Sequence, residues 1–336
     1  MKNLKDKVYF YEHSYLRDRQ IDTVINWDTD SILNPNYFLE KKGDQASNLT
    51  STNKNILSFL KNKLPLLNIK CRPKEAPTDA IIYIWGGLIS RGKFIVDLDN
   101  PWSLVGYNLR AMPLYKNIIK KILESDRCIE IRCMSNACQS SLHMLFGQIV
   151  YRKSIVKYPF IKLSVSNKDI VLSNKCRFLF IATQFEIKGG EALLKAFIQL
   201  YENNSKCRLD VITHLPSQFT EMASNCKGIV VHEARFTREE IHKQFMLHSD
   251  VLILPTYVDS FGMVALEALS CGLALIVTDV YALGELIKDG MNGVLLKPPL
   301  AIWNGYMPSW LYYNLSKVRK CIKKSDTSQF ENQLQA

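Results

Sequence analysis

The strongest constraint in this chain is an alternation that runs from residue 178 to residue 296. Short runs that are mostly apolar stand at 178–182, 209–213, 228–232, 251–254, 273–278 and 294–296. Between them lie stretches whose apolar residues recur every three or four positions, such as Leu193, Leu194, Phe197, Ile198 and Tyr201. A run with no polar face belongs to a strand buried on both sides, and the periodic stretches are amphipathic helices able to do the covering. Punctuation agrees with that division. Asn203-Asn204 closes the first helix, and Thr237-Arg238-Glu239-Glu240 has capping-box spacing for a helix running to about His248. A helix over 261–271 stops at Gly272, and a short one covers 284–288. The pattern predicts a doubly wound parallel sheet, whose ligand sits beyond the carboxyl ends of the strands.

The first half is less regular. Strands are expected at 8–11, 81–84, 94–96 and 129–131, helices at 114–124 and 139–146, and a loop over 40–55. Tyr158-Pro159 marks a break inside a hinge region at 153–172. With 336 residues, 47% hydrophobic and 22% charged, the chain has material for two full-sized cores, and disordered, collagen-like and coiled-coil readings are excluded. The expected division is 1–165, 166–300 and a closing helical segment over 301–336. The longest nearly apolar run, 263–277, is interrupted by Glu267 and is too short to span a bilayer. Residues 1–7 are polar, unlike a secretory signal, and an odd count of nine cysteines suits a reduced, cytoplasmic setting. Cys128, Cys133, Cys138 and His143 recur every five residues, a spacing that does not converge on a metal. The formal charge of +11 lies wholly in residues 1–175, which suits an anionic surface or simply a soluble one.

Chemistry concentrates between Pro255 and Glu267. A strand ends, a loop follows, and a helix opens near Ser260 or Phe261, so free amides there form a phosphate site that Gly262 leaves open, and Ser260 can cap the helix or donate to a phosphate oxygen. Glu267 has Met263, Val264, Ser270 and Cys271 as helical neighbours, and a carboxylate on so apolar a stripe needs hydrogen-bond donors. A ribose diol provides two. Asp259 stands in the loop where it can accept from sugar hydroxyls. Donors for phosphate beside acceptors for hydroxyls suit a nucleotide-sugar.

Three stretches resemble the family 4 glycosyltransferases of the GT-B fold: Asp259-Ser260-Phe261-Gly262 with Leu266-Glu267-Ala268-Leu269-Ser270-Cys271-Gly272, then Glu285 through Gly293, and Lys188-Gly189-Gly190 after the 178–182 strand. The resemblance covers about residues 176–297. It implies an α/β chain of two Rossmann-like, doubly wound domains facing across a cleft. It implies Glu267 as the ribose ligand, Asp259 as the sugar ligand, and the Ser260–Gly262 backbone, Phe261 included, on the distal phosphate. Lys188 and Gly189 then meet the diphosphate, with Lys188 offsetting leaving-group charge. Two positions differ from the family pattern. Asp259 is one methylene shorter than the usual glutamate, and Thr183, followed by Gln184, stands where an arginine is frequent.

A fainter resemblance in the first half makes Asp97, Asp99, Arg91 and Lys93 acceptor-side candidates; a lone carboxylate there is more often structural. Asp97-Leu98-Asp99 has the form of a metal pair but lies outside the donor half, and neither a metal nor another cofactor is expected. Trp303, Trp310, Tyr312 and Tyr313 precede Lys317, Arg319, Lys320, Lys323 and Lys324. Leu311, Leu315 and Val318 continue the apolar pattern, so this segment is expected to pack, with the resemblance implying a helix that can cross back to the first domain and a membrane surface as the other reading. The expectation is a retaining, metal-independent hexosyltransferase using a UDP or GDP sugar and a glycan or lipid-linked acceptor. It is placed in the cytoplasm or peripherally on the cytoplasmic membrane face. The alternatives are a catalytically impaired sugar-nucleotide or glycan binder of the same fold, and a basic polyanion-binding protein, nucleic acid being disfavoured.

Overall fold

The computed structural model describes residues 7–13, 16–41, 66–162, 175–309 and 315–335. Most of the expected 40–55 loop, the 163–172 part of the hinge, and Trp310, Leu311, Tyr312 and Tyr313 lie outside the described residues. The chain forms two compact units, Met1–Phe160 and Ile161–Ala336. The division falls shortly before the expected 165/166 boundary.

The first unit contains β1 (Val8–Phe10), β2 (Ile69–Lys70), β3 (Ile81–Trp85), β4 (Leu88–Ile89), β5 (Phe94–Leu98), β6 (Cys128–Cys133) and β7 (Ser154–Val156). Its main sheet has the order β1-β3-β5-β6-β7, every pair parallel, and β2 pairs with β4 separately. β3 and β5 are buried along their whole length; β3 is apolar throughout, and the Asp97 carboxylate inside β5 is paired with Arg19 and Tyr83. The helix expected at 139–146 starts earlier, at Asn136–Phe146, because the Ser135 hydroxyl accepts from the Cys138 amide at 3.0 Å and caps it. The five-residue cysteine spacing puts Cys128 and Cys133 on β6 and Cys138 on that helix, all as buried free thiols.

The second unit contains β8 (Cys176–Ala182), β9 (Cys207–Thr213), β10 (Ile229–His232), β11 (Val251–Leu254), β12 (Ala274–Thr278) and β13 (Gly293–Leu296). They form one parallel sheet in the order β10-β9-β8-β11-β12-β13. Strands run outward from β8 to β10, then the order reverses and runs from β11 to β13, so the switch point lies between β8 and β11. Both faces are covered. Leu194 and Phe197 of the helix Gly190–Asn203 pack with Phe180 and Leu209 on one side. Ala265 and Ala268 of the helix Met263–Ser270 pack with Leu252 and Leu254 on the other. A small hairpin of β14 (Trp303–Asn304) and β15 (Met307–Pro308) follows, with Trp303 stacked on Tyr281 at 4.1 Å between ring centroids.

Two elements differ from expectation. The helix foreseen over 237–248 keeps its Thr237–Glu240 capping box but is one α turn (Arg238–Glu240), one π turn (Ile241–Phe245) and one 3₁₀ turn (Met246–His248). Phe245 and Met246 are both drawn into the core against β11 and β12, so the backbone departs from regular α geometry there. The closing segment forms the helices Leu315–Lys324 and Ser328–Gln335. Val318, Ile322 and Phe330 enter a core cluster with Ile187, Tyr257 and Val258 of this same unit, while Leu315 stays exposed.

Candidate functional site

The loops after β8 and β11 flank the switch point, and each brings one charged residue to it. Lys188 Nζ lies 2.6 Å from Asp259 Oδ2 and donates to the Val258 carbonyl at 2.9 Å. The other oxygen, Asp259 Oδ1, accepts from the amides of Phe261 at 3.1 Å and Gly262 at 2.8 Å. Burial alone pushes this carboxyl up; the Lys188 charge and hydrogen bond, joined by the two amides, outweigh burial and hold it below the ordinary aspartate value.

The loops are built on a common floor. Tyr257 N donates to Ile187 O at 2.9 Å, tying the Lys188 loop to the Asp259 loop. Ile187, Tyr257 and Val258 then rest on the closing helices, whose Phe330 ring meets Tyr257. Arg319 and Lys323 of the first closing helix reach Glu186 at 3.7 and 3.3 Å, beside Gln184 and the exposed Thr183. The closing segment thus supports the residues expected to bind phosphate.

Gly189 has φ +77°, and a Cβ at that position would fall on the Pro255 carbonyl oxygen at the end of β11. The two loops approach so closely that only hydrogen fits. Gly189→Ala is expected to destabilise the fold by about 1–3 kcal/mol from backbone strain alone. Thermal melting of the variant checks this; an unchanged midpoint would mean the loops are not packed this tightly.

The helix N-terminus differs from expectation in one respect. Gly262, at φ +80°, occupies the N-cap of Met263–Ser270, and Ser260 does not. Phe261 is buried, and the left-handed glycine turns the chain into the helix just after it. Asp259 takes the amides of Phe261 and Gly262, two of the groups assigned to the distal phosphate. Lys188 and these amides therefore already converge on one carboxylate, an arrangement of donors suited to an anion.

Glu267 projects from the same helix with its side chain 16% exposed. Its Oε1 pairs with Arg238 Nε at 2.9 Å, and its Oε2 lies 3.9 Å from His242 Nε2. Neither partner was identified from sequence, where Arg238 figured only inside a capping box. The available signal was their spacing of four, which places two cationic or polar side chains on one helical face.

The acceptor-side candidates stand in the first unit. Asp97 accepts from Arg19 Nη1 at 3.0 Å and from the Tyr83 hydroxyl at 2.6 Å. Asp99 accepts from the Tyr107 hydroxyl at 3.0 and 2.9 Å. Both carboxylates are engaged within that unit, and Arg91 and Lys93 are exposed before β5.

The two parallel sheets have counterparts of known structure. The chain aligns with a crystal structure of Anabaena HepE in complex with UDP and glucose over 98% of both chains, with a TM-score of 0.56 at 12% identity. A second HepE structure, with UDP, gives a TM-score of 0.58 at 11% identity over 98% of this chain and 93% of that one. The fold is GT-B, with two Rossmann-like units. Within it, residues 166–304 match the family described as glycosyl transferases group 1. Among curated relatives, a D-inositol 3-phosphate glycosyltransferase of Arthrobacter sp. (strain FB24) is 30% identical over 136 residues, which are 38% of this chain and 32% of that one. An uncharacterized glycosyltransferase of Methanocaldococcus jannaschii is 28% identical over 125 residues, 36% of this chain and 31% of its own. The matched part spans about a third of these relatives' length. Among the described residues, no helix is long and apolar enough to cross a membrane.

Proposed function

We propose that this chain is a retaining glycosyltransferase that moves a hexose from a UDP or GDP sugar to a glycan or lipid-linked acceptor. The observation that carries the reading is the convergence of Lys188 and the Phe261 and Gly262 amides on Asp259 at the switch point of the second sheet. In the proposed reaction the diphosphate lies against Lys188 and the helix N-terminus. As the glycosidic bond breaks, negative charge grows on the leaving phosphate, and these donors, which meet Asp259 in the structure, stabilise it. Asp259 then turns toward hydroxyls of the transferred sugar, and Glu267 accepts from the ribose. The acceptor hydroxyl attacks from the face the diphosphate leaves and passes its proton to the departing phosphate oxygen, so configuration is retained. The fixed donors supply the charge stabilisation, and the scheme contains no metal step and no cofactor. The excess positive charge of residues 1–175 supports an acceptor at an anionic surface, such as the cytoplasmic face of a membrane.

A thermal-shift screen of UDP, GDP, ADP and their sugars tests the donor assignment. One nucleotide series is expected to stabilise the protein by about 2.7 kcal/mol at a hundredfold excess over its dissociation constant. Incubation with the matching donor should release nucleoside diphosphate. A donor that binds without any release across an acceptor panel would favour the impaired binding protein, the reading that the exposed Thr183 in the arginine position supports. No stabilisation by any of them would remove the donor site altogether.

A further inference from the structure

We propose that His242 and Glu267 together hold one hydroxyl of the donor ribose, with Arg238 as the positioning residue that aims the carboxylate. This rests on the donor-site reading above and adds to it a second protein ligand for the sugar ring of the nucleotide.

The geometry leads there in three steps. First, Glu267 is held by charge: Arg238 Nε stands 2.9 Å from Oε1 as an ion pair without hydrogen-bond alignment, and both side chains are largely buried, at 22% and 16% exposure. A carboxylate has about four lone-pair directions, so one gripping cation leaves capacity for a diol. Second, His242 Nε2 is buried, and among the described residues it has no hydrogen-bond partner. A buried ring nitrogen left this way costs free energy that a ligand can recover. Third, that nitrogen stands 3.9 Å from Glu267 Oε2. This is too long for a direct hydrogen bond, yet one hydroxyl oxygen placed roughly 2.8 Å from each atom bridges the gap. The hydroxyl donates to the carboxylate and meets the imidazole with its remaining capacity. A ribose hydroxyl fits the chemistry, because it is neutral and both donates and accepts.

The backbone agrees with the assignment. His242 stands in the π turn that interrupts the expected helix, and such turns recur at functional sites. Thr237 anchors the start of this segment through its capping box, and Phe245 anchors the end in the core. The imidazole is thus carried on a short segment held at both ends.

Binding of UDP, GDP and ADP, each compared with its 2′-deoxy and 3′-deoxy counterpart, tests this by calorimetry on the full chain. The wild type should bind the tightest of the three at least tenfold better than one of its deoxy forms. His242→Ala should bind the ribonucleotide more weakly and lose that one discrimination while keeping the other. Arg238→Ala should weaken discrimination at both hydroxyls, and Arg238→Lys should restore part of it, which loss of packing alone does not explain. Melting curves identify any variant that fails to fold, and His242→Gln, which keeps a polar side chain, then takes its place. If the wild type binds a ribonucleotide but the histidine variants keep its full discrimination, the role given to His242 is overturned and the donor site stands. If the wild type binds none of the nucleotides, both fall.

Discussion

Lys188→Ala is expected to lower nucleoside diphosphate release from the donor sugar by about 10²–10³-fold, the usual cost of removing one preorganised charge stabiliser. Among the described residues the lysine is the single side-chain cation within 4.0 Å of Asp259, so no neighbour there takes over its charge. Steady-state kinetics on the folded variant checks the loss, and near-native turnover would count against the assignment. A pH signature accompanies it. In the wild type the folded Asp259 carboxyl lies below its ordinary value. Its contribution to stability is therefore fully present above about pH 4, the unfolded value, and is lost as pH falls through the folded one. Without Lys188 the largest of the opposing effects, burial, is left facing only the two amides. The variant should lose less stability on acidification than the wild type, or gain it. Melting curves from pH 3 to 7 measure the difference, and parallel curves would show that the pair is not formed in solution.

Glu267→Ala is the second large effect. Removing the carboxylate takes away the proposed ribose acceptor, and a hydrogen bond to a charged group is worth about 1.5–3 kcal/mol, or roughly 10–150-fold in donor affinity. It also leaves Arg238 largely buried beside His242 without its anion. The variant should therefore melt lower than the wild type as well as bind donor more weakly. Glu267→Gln separates the two. The amide keeps the volume and one acceptor oxygen but not the charge, so it should recover part of the melting temperature and less of the affinity. Calorimetry of donor binding together with melting curves checks both; unchanged donor affinity in Glu267→Ala would remove the ribose assignment.

The second sheet was legible because burial on both faces leaves a one-dimensional trace. The strand foreseen at 251–254 is β11 to the residue, and the others differ by one or two positions at their first residue only. The first half was harder, since its strands are short and its helices begin where a cap, not a periodicity, decides. Lys188 and Asp259 were each read as donor ligands, but nothing in a sequence tells that residues 71 positions apart touch. The same holds for Glu267. Its placement on an apolar stripe announced that it needed partners, while the identity of Arg238 and His242 came only from the fold. The expected Ser260 cap failed for a local reason, since a glycine able to adopt positive φ follows a buried phenylalanine.

Sequence by itself determined the parallel α/β architecture of the second unit, the loop-helix element at Pro255–Glu267 and the residue types able to meet phosphate and sugar. Those follow from hydrophobic periodicity and side-chain chemistry, which are properties of neighbours along the chain. Tertiary structure alone decided which donors converge on Asp259, which cation holds Glu267, and that the closing helices support the Lys188 and Asp259 loops. These depend on strand order, because the reversal between β8 and β11 is what brings two distant loops to one point.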